Sequence, residues 1–429
     1  MKKLFALALA MMLALSMLAI PASAETGKVY YLNFKPEADV AWQTLAQTYT
    51  AKTGVEVKVV TAASGTYSQT LTAEMDKGAN APTLFQCGNL QGLETWGDYC
   101  LDLRGSKVYE ELNTHDFNLY DANGEAKAIG YCYEAFGIIV NKALLAQAGY
   151  QLSDITNFET LKKVADDIHA RKDELGFDAF TSAGLDGSSS WRFSGHLLNM
   201  PLYYEFRDDN VTAQPATLTG KYMDNFKKIW DLYITDASID PAQLATATGN
   251  QAEAEFGQSK AVFYQNGTWE YSNLTGADYG MKAEDLAMIP IYCGVEGEEK
   301  AALACGTENC WAVNAQASEA DQKATLDFLY WLVTSEAGTS MMVEQFGSVP
   351  FKAAPASTNG FIKNGDALLA DGCYSVTWAF VDTPNVDSWR ATVVTALAKY
   401  SADPTDANWA EVVTAFVDGW AVEYNMVHG

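Results

Sequence analysis

Positive charge is what this chain has least of. Lysine and arginine number 28 against 54 acidic residues, which leaves a formal net charge of −26. Nucleic acids and anionic lipid surfaces are polyanions, so that balance excludes both as partners. Histidine is scarcer: there are four, none of them clustered. The pair Cys305-x4-Cys310 therefore has no second C-x2-C and no histidines to complete a zinc site, and no metal or cofactor is expected. G-x-S-x-G, H-E-x-x-H and the phosphate loop G-x-x-x-x-G-K are all missing. No catalytic residues are assigned. The many carboxylates guarantee chance pairs, so a secreted glycoside-acting enzyme stands as the alternative from another class.

Long apolar runs are also lacking, with one exception at the start. Lys2 and Lys3 precede a nearly all-apolar stretch from Leu4 to Ile20, and Ala22-Ser23-Ala24 follows. The run is short for a membrane span and ends in a small-residue cleavage site. Residues 1–24 read as a signal peptide removed after Ala24, so the mature chain is extracytoplasmic. Losing its two lysines makes the protein more acidic still. Seven cysteines, at 87, 100, 132, 293, 305, 310 and 373, form an odd set. Outside the cytoplasm, at least one disulfide is expected among the first six, with Cys373 left over.

What is present is a large apolar complement, 48% of residues, enough for a sizeable core. The length suggests two or more domains. Val29–Leu32 reads as a strand. Ala38, Ala41, Trp42, Leu45 and Tyr49 repeat at helical spacing up to Gly54, and Val55, Val57 and Val59 alternate as a second strand. A helix over Tyr67–Lys77 and a strand over Pro82–Gln86 complete a β-α-β-α-β run with short links, which predicts parallel pairing. Thr156 reads as a helix cap with Glu159 as its box partner, and Ser318 as another with Asp321. Ser335 caps a following helix that stops at Gly347. Trp42, Trp230 and Trp331 lie on helical stripes and belong to the core.

Four segments resemble one family. Cys305–Lys352 has a glycine, an aromatic strand at Trp311, the helix residues Phe328-Leu329, Trp331-Leu332 and Ser335-Glu336-Ala337, then the strap Gly347-Ser348-Val349-Pro350. Ile138-Ile139-Val140-Asn141-Lys142 is the second, the helix from Phe158 to Ile168 the third, and Phe256–Trp269, with its Gly267-Thr268-Trp269 ending, the fourth. Together they resemble the maltose-binding-protein-like (family 1) extracellular solute-binding proteins of ABC sugar importers. The resemblance extends over nearly all of the mature chain. No cysteine lies at the cleavage site, so the lipid-modified cysteine of many such proteins has no counterpart.

The resemblance implies an α/β, two-lobed periplasmic-binding-protein-like fold of type II, each lobe a mainly parallel sheet flanked by helices. Lobe 1 would be 25–133 with 304–352, and lobe 2 would be 134–303 with 353–429. It also implies a monomer that carries a carbohydrate, an oligosaccharide, to permease subunits. Ligands of open α/β sheets bind beyond the carboxyl ends of strands. Sugars stack on aromatic rings and bond to planar polar groups. The candidates at such turns are Phe34, Glu37, Tyr67, Asn89, Gln91, Trp191, Arg192, Trp269, Glu270, Glu308, Asn309 and Trp378. Acidic turns would also suit a cationic small molecule such as a polyamine, and a surface adhesion module is a third reading.

Overall fold

The structure is a computed structural model that describes residues 27–211 and 213–429. The expected signal peptide, 1–24, lies outside the described residues. Among the described residues twelve strands follow one another: β1 (Val29–Asn33), β2 (Val57–Thr61), β3 (Leu84–Gln86), β4 (Leu119–Tyr120), β5 (Ala126–Gly130), β6 (Glu134–Asn141), β7 (Asp178–Phe180), β8 (Ala261–Gly267), β9 (Leu286–Ile289), β10 (Ala301–Gly306), β11 (Cys310–Val313) and β12 (Tyr374–Thr377). They form two sheets. One has the order β2-β1-β3-β11-β5-β4, the other β12-β10-β6-β8-β7 with β9 also paired to β6.

Both sheets are mixed rather than mainly parallel. β1 pairs in parallel with β2 and β3, β7 with β8, and β10 with β12. The other pairings are antiparallel, among them both contacts of β11 and all three of β6. The cause is the route of the chain. β6 and β11 are the strands by which it enters one sheet and re-enters the other, and each arrives running against its neighbours. β10 stays in the second sheet to Gly306, so the return lies at 307–309, a few residues beyond Ala304.

The first sheet is covered by the helices Asp39–Thr53, Glu319–Thr334 and Glu336–Phe346. Trp42, Leu45, Tyr49, Phe328, Leu329 and Phe346 from these helices share one apolar cluster with Tyr31, Trp311 and the strap residue Phe351. Trp331 is half-buried at its margin. A larger cluster under the second sheet gathers Phe158, Leu161 and Ile168, Trp230, and the two C-terminal helices Val386–Ala402 and Asp406–His428. No helix among the described residues is long and apolar enough to cross a membrane.

Two caps differ from expectation. Asn157, not Thr156, caps the helix Phe158–Ala170, and its box partner is Thr160. Asn accepts the N3 amide as well as any residue, and one step further along it leaves Phe158 free to enter the core. Ser318 does cap its helix, but Asp321 turns outward and accepts the Lys28 amide at 2.8 Å. The expected disulfide is also absent, since all seven cysteines are free thiols. Five are buried, and Cys87, Cys100 and Cys310 share one small apolar cluster, where a thiol packs as a compact hydrophobe. Hydrogen bonding to the Cys100 thiol, with burial, pushes the Cys87 thiol well up.

Gly88, just past β3, lets the chain pass the return link. A Cβ there would lie 1.9 Å from the Glu308 carbonyl oxygen, whereas one at Gly187 would meet open space. Gly88→Ala should therefore lose about 2 kcal/mol in urea unfolding, the scale of an overpacked interior. Gly187→Ala should stay close to wild type. Equal midpoints for both variants would contradict this packing.

Candidate functional site

The two sheets meet through loops at the carboxyl ends of their strands, and most polar candidates lie there. Phe34–Glu37 follows β1, Tyr67 follows β2, and Asn89 and Gln91 follow β3. From the second sheet, Trp269 and Glu270 follow β8, and Trp378 follows β12. Trp191 and Arg192 come from the Ser-rich loop after β7.

At the centre is a residue the sequence reading passed over. Lys35, 5% exposed, extends its ammonium to Glu134, the first residue of β6, at 2.8 Å. It also reaches Glu37 at 3.2 Å and lies 5.5 Å from the centre of the Trp269 ring. Burial alone would lower the lysine, but the carboxylates of Glu134 and Glu37 outweigh it and hold the group above the usual lysine range. The second oxygen of Glu134 accepts from the Asn309 amide at 2.6 Å. Thr307 donates its hydroxyl to the Cys132 carbonyl at 2.6 Å, and the Tyr131 amide donates to the Asn309 carbonyl at 2.9 Å. Two of the links between the sheets, 131–134 and 307–309, are thus tied to each other and to the loop after β1.

Around this centre the candidates fall into groups. Phe34 and Tyr67 meet edge to face, with centroids 5.3 Å apart. The Tyr67 hydroxyl accepts from the Gln86 backbone N–H at 2.6 Å. Asn89 caps the helix Leu90–Trp96 and donates to the Glu308 carboxylate at 3.0 Å. Trp191 and Trp269, both half-buried, stand 6.0 Å apart, and each ring also contacts His196. The Trp269 ring lies over its own chain, where a Cβ on Gly267 would come within 2.1 Å.

Other candidates are enclosed. Arg192 is 1% exposed and donates to the Ser189 hydroxyl at 2.8 Å, between the rings of Phe193 and Tyr264. Trp378 stacks on Phe136 and Phe380 within the core cluster and donates to the Ala304 carbonyl at 3.0 Å. Asn309 is buried with its amide on Glu134, and Glu270 is buried beside Asn266. Buried His196 lies flat on Phe136, centroids 4.1 Å apart, and accepts from the Gln265 amide at 2.8 Å. Burial, then the charges of Arg390 and Arg192, keeps its imidazole neutral, well below the usual range.

Two further contacts bridge the sheets. The Gln91 amide donates to Asn385 at 2.9 Å, and Asn385 adopts a left-handed backbone, φ 43°. Ser64 donates to the Ser188 carbonyl at 3.5 Å. Beside it Gly65, at φ 73°, passes so near Gly187 that a Cβ would lie 2.5 Å from its carbonyl oxygen. A signal for Lys35 and Glu134 did exist. One is a lysine between two chosen site residues, and the other is the only acid in the run from Ala126 to Val140. Among the described residues no group of three His, Cys, Asp or Glu side chains is placed to hold a metal ion.

The central pair can be tested by stability. Lys35→Met strands Glu134, which is 4% exposed. Breaking a buried pair on one side costs about 3–5 kcal/mol. Lys35→Met combined with Glu134→Gln should recover much of that, because both charges leave together. Chemical denaturation of the two variants measures the difference, and equal losses would show that the pairing does not matter.

No curated protein matches the chain in sequence. Among solved structures, RafE in complex with raffinose superposes with a TM-score of 0.72 at 15% identity, over 92% of this chain and all of that one. The solute receptor AcbH, described as exclusive for β-D-galactopyranose, gives 0.73 at 14% identity, over 93% and 100% of the two chains. The GacH receptor of Streptomyces glaucescens, solved unliganded and with acarbose, gives 0.70 at 17%, over 93% and 99%. The shared architecture is the two-lobed, periplasmic-binding-protein-like fold. Residues 44–370, well over half of the chain, match the model for bacterial extracellular solute-binding proteins, a family of binding proteins rather than enzymes. With the sheets, links and loops arranged as described, the chain belongs to the bacterial extracellular solute-binding protein family.

Proposed function

We propose that this protein captures a carbohydrate, a short oligosaccharide, between its two lobes and delivers it to the permease of an ABC importer. The lobes are the two sheets with their helices, divided near 133, at 307–309 and after 352. Closing the lobes about these links excludes water from the ligand and presents a closed surface to the permease.

The observation that carries the reading is the pair Trp191 and Trp269. Two half-buried indoles 6.0 Å apart, beyond the strand ends, offer the flat apolar faces on which sugar C–H surfaces stack. Asn89, Gln91, Glu308 and Glu37 supply directional acceptors and donors nearby. The solved relatives support the same class, since their names specify raffinose, acarbose and β-D-galactopyranose.

The cationic-ligand reading is weakened by Lys35. An aromatic face with two carboxylates is the chemistry that recognises an ammonium group. Here Trp269, Glu134 and Glu37 already hold one from the chain itself. A second cation would find that aromatic and acidic box already filled, while a neutral sugar would not need it.

A thermal-shift screen against mono- and oligosaccharides tests the class, because a ligand that binds the native state raises its melting temperature. Binding should change little with salt, whereas capture of a cation would weaken steeply. Trp269→Ala should then cost about 2 kcal/mol of affinity by calorimetry with the sugar found. Glu308→Gln should cost on the order of 1 kcal/mol, since it loses only the charge-assisted part of a hydrogen bond. Wild-type affinity in Trp269→Ala would remove the ligand from that ring.

A further inference from the structure

Among the described residues five helices open on an asparagine. Asn89, Asn141, Asn157 and Asn359 turn their side-chain oxygens onto the first amides of their own helices, the ordinary use of the residue there. Asn385, which opens the helix Val386–Ala402, makes no such bond. Its backbone is left-handed, φ 43° and ψ 56°, where a capping residue is normally extended. A side chain that gives up its cap and holds a disfavoured backbone is retained where the surrounding structure needs it elsewhere.

The need is visible in its partners. Asn385 Oδ1 accepts from the Gln91 amide at 2.9 Å, across from the helix Leu90–Trp96 beyond the first sheet. Its Nδ2 donates to Glu423 Oε2 on the C-terminal helix, and the Ser388 hydroxyl donates to Glu423 Oε1. Glu423 is 7% exposed, and a carboxylate can only accept. It therefore draws the NH2 group of Asn385 toward itself and leaves the oxygen facing the other lobe. On that side Gln91 sits on a helix capped by Asn89, which also reaches Glu308 in the return link at 3.0 Å. Asn385 and Gln91 are both half-buried, so water can replace the bond between them when the lobes part.

We propose that Asn385 is a positioning residue for solute capture: Glu423 aims its oxygen at Gln91, and the bond between the two amides latches the lobes together and slows release of the solute. A bond made only when the lobes meet favours the closed arrangement, with or without solute. One net hydrogen bond shifts that balance about fivefold. The effect on release rests on the capture reading above, whereas the effect on closure rests on the two-lobed architecture alone.

Three variants separate the parts. Asn385→Gly removes the amide but suits the left-handed backbone, so its urea midpoint should stay near wild type. Asn385→Asp keeps an acceptor for Gln91 but sets a second carboxylate against Glu423. Asn385→Asp combined with Glu423→Gln exchanges donor and acceptor. The introduced amide then donates to the introduced carboxylate, which still accepts from Gln91, and the net charge is that of wild type.

Small-angle X-ray scattering without added sugar reports closure. Both single variants should have a larger radius of gyration than wild type, and the exchange should restore it. Equal radii for wild type and Asn385→Gly overturn the latch, and so does an exchange variant as expanded as Asn385→Asp. Stopped-flow kinetics with raffinose, or with the panel sugar of largest thermal shift, report release. Dissociation should be about fivefold faster in Asn385→Gly and wild-type in the exchange, with association no slower, because the solute enters the open form. Unchanged dissociation in Asn385→Gly overturns the role in capture. If no sugar binds, the carbohydrate reading fails, and the scattering result still decides the latch.

Discussion

An ammonium group taken out of water costs several kcal/mol unless an anion and further hydrogen bonds replace its solvent. Lys35 meets that condition at one place only, between Glu134 and Glu37. Much else follows from the need to satisfy it. Glu134 has to stand at the very start of β6, facing the loop after β1. Its second oxygen needs a donor, which Asn309 supplies from the return link. The two links are then drawn together through Thr307 and Tyr131. A single buried charge thus locates the loop after β1, these two crossings and the Trp269 ring with respect to one another.

An apolar cluster of the same volume could be at least as stable, so stability alone does not account for the pair. Position does. An apolar contact between two sheets tolerates sliding, whereas an ion pair with a third, hydrogen-bonded partner has one good geometry. The aromatic residues continue the same order outward. Phe380, Trp378, Phe136 and His196 stack in succession from the core, and His196 touches both Trp191 and Trp269. Keeping His196 neutral matters here, because Arg192 and Arg390 lie close by and an imidazolium would be repelled. The two half-buried indoles therefore rest on a packed column rather than on a mobile loop.

Features set by local spacing were legible in the sequence. The helix stripes through Trp42 and Phe328, the Ser335 cap and the stops at Gly54 and Gly347 all depend on residues within a few positions of each other. So did the turns after β1, β3 and β8, where polar and aromatic residues follow short apolar runs. What distant chain segments decide was not legible. The antiparallel entry of β6 and β11 depends on where the chain crosses. Arg192 looked like a cleft residue because it follows a Gly/Ser-rich loop, yet Ser189 and Gln265 draw it inward. Lys35 was passed over for the opposite reason. A lysine in an acidic chain reads as solvated surface until the fold brings Glu134 to it from 99 residues away. The thiols misled as well, because the exported setting suggested bridges while five of the seven are buried in the apolar clusters.

The overall acidity of the chain says little about the cleft. Nearly every carboxylate there has its own partner: Glu37 and Glu134 share Lys35, Glu308 has Asn89, and Glu270 has Asn266. Each hydrogen-bonded group still has lone pairs or N–H bonds to offer, and the one cation among these partners is already enclosed by two of the carboxylates. Under the proposed reading, recognition there comes from the direction of hydrogen bonds and the area of ring faces rather than from long-range attraction. A polyhydroxylated, uncharged molecule with flat C–H faces uses both. An ion would have to displace a pair that the fold itself depends on. The excess negative charge elsewhere lies outside that selection.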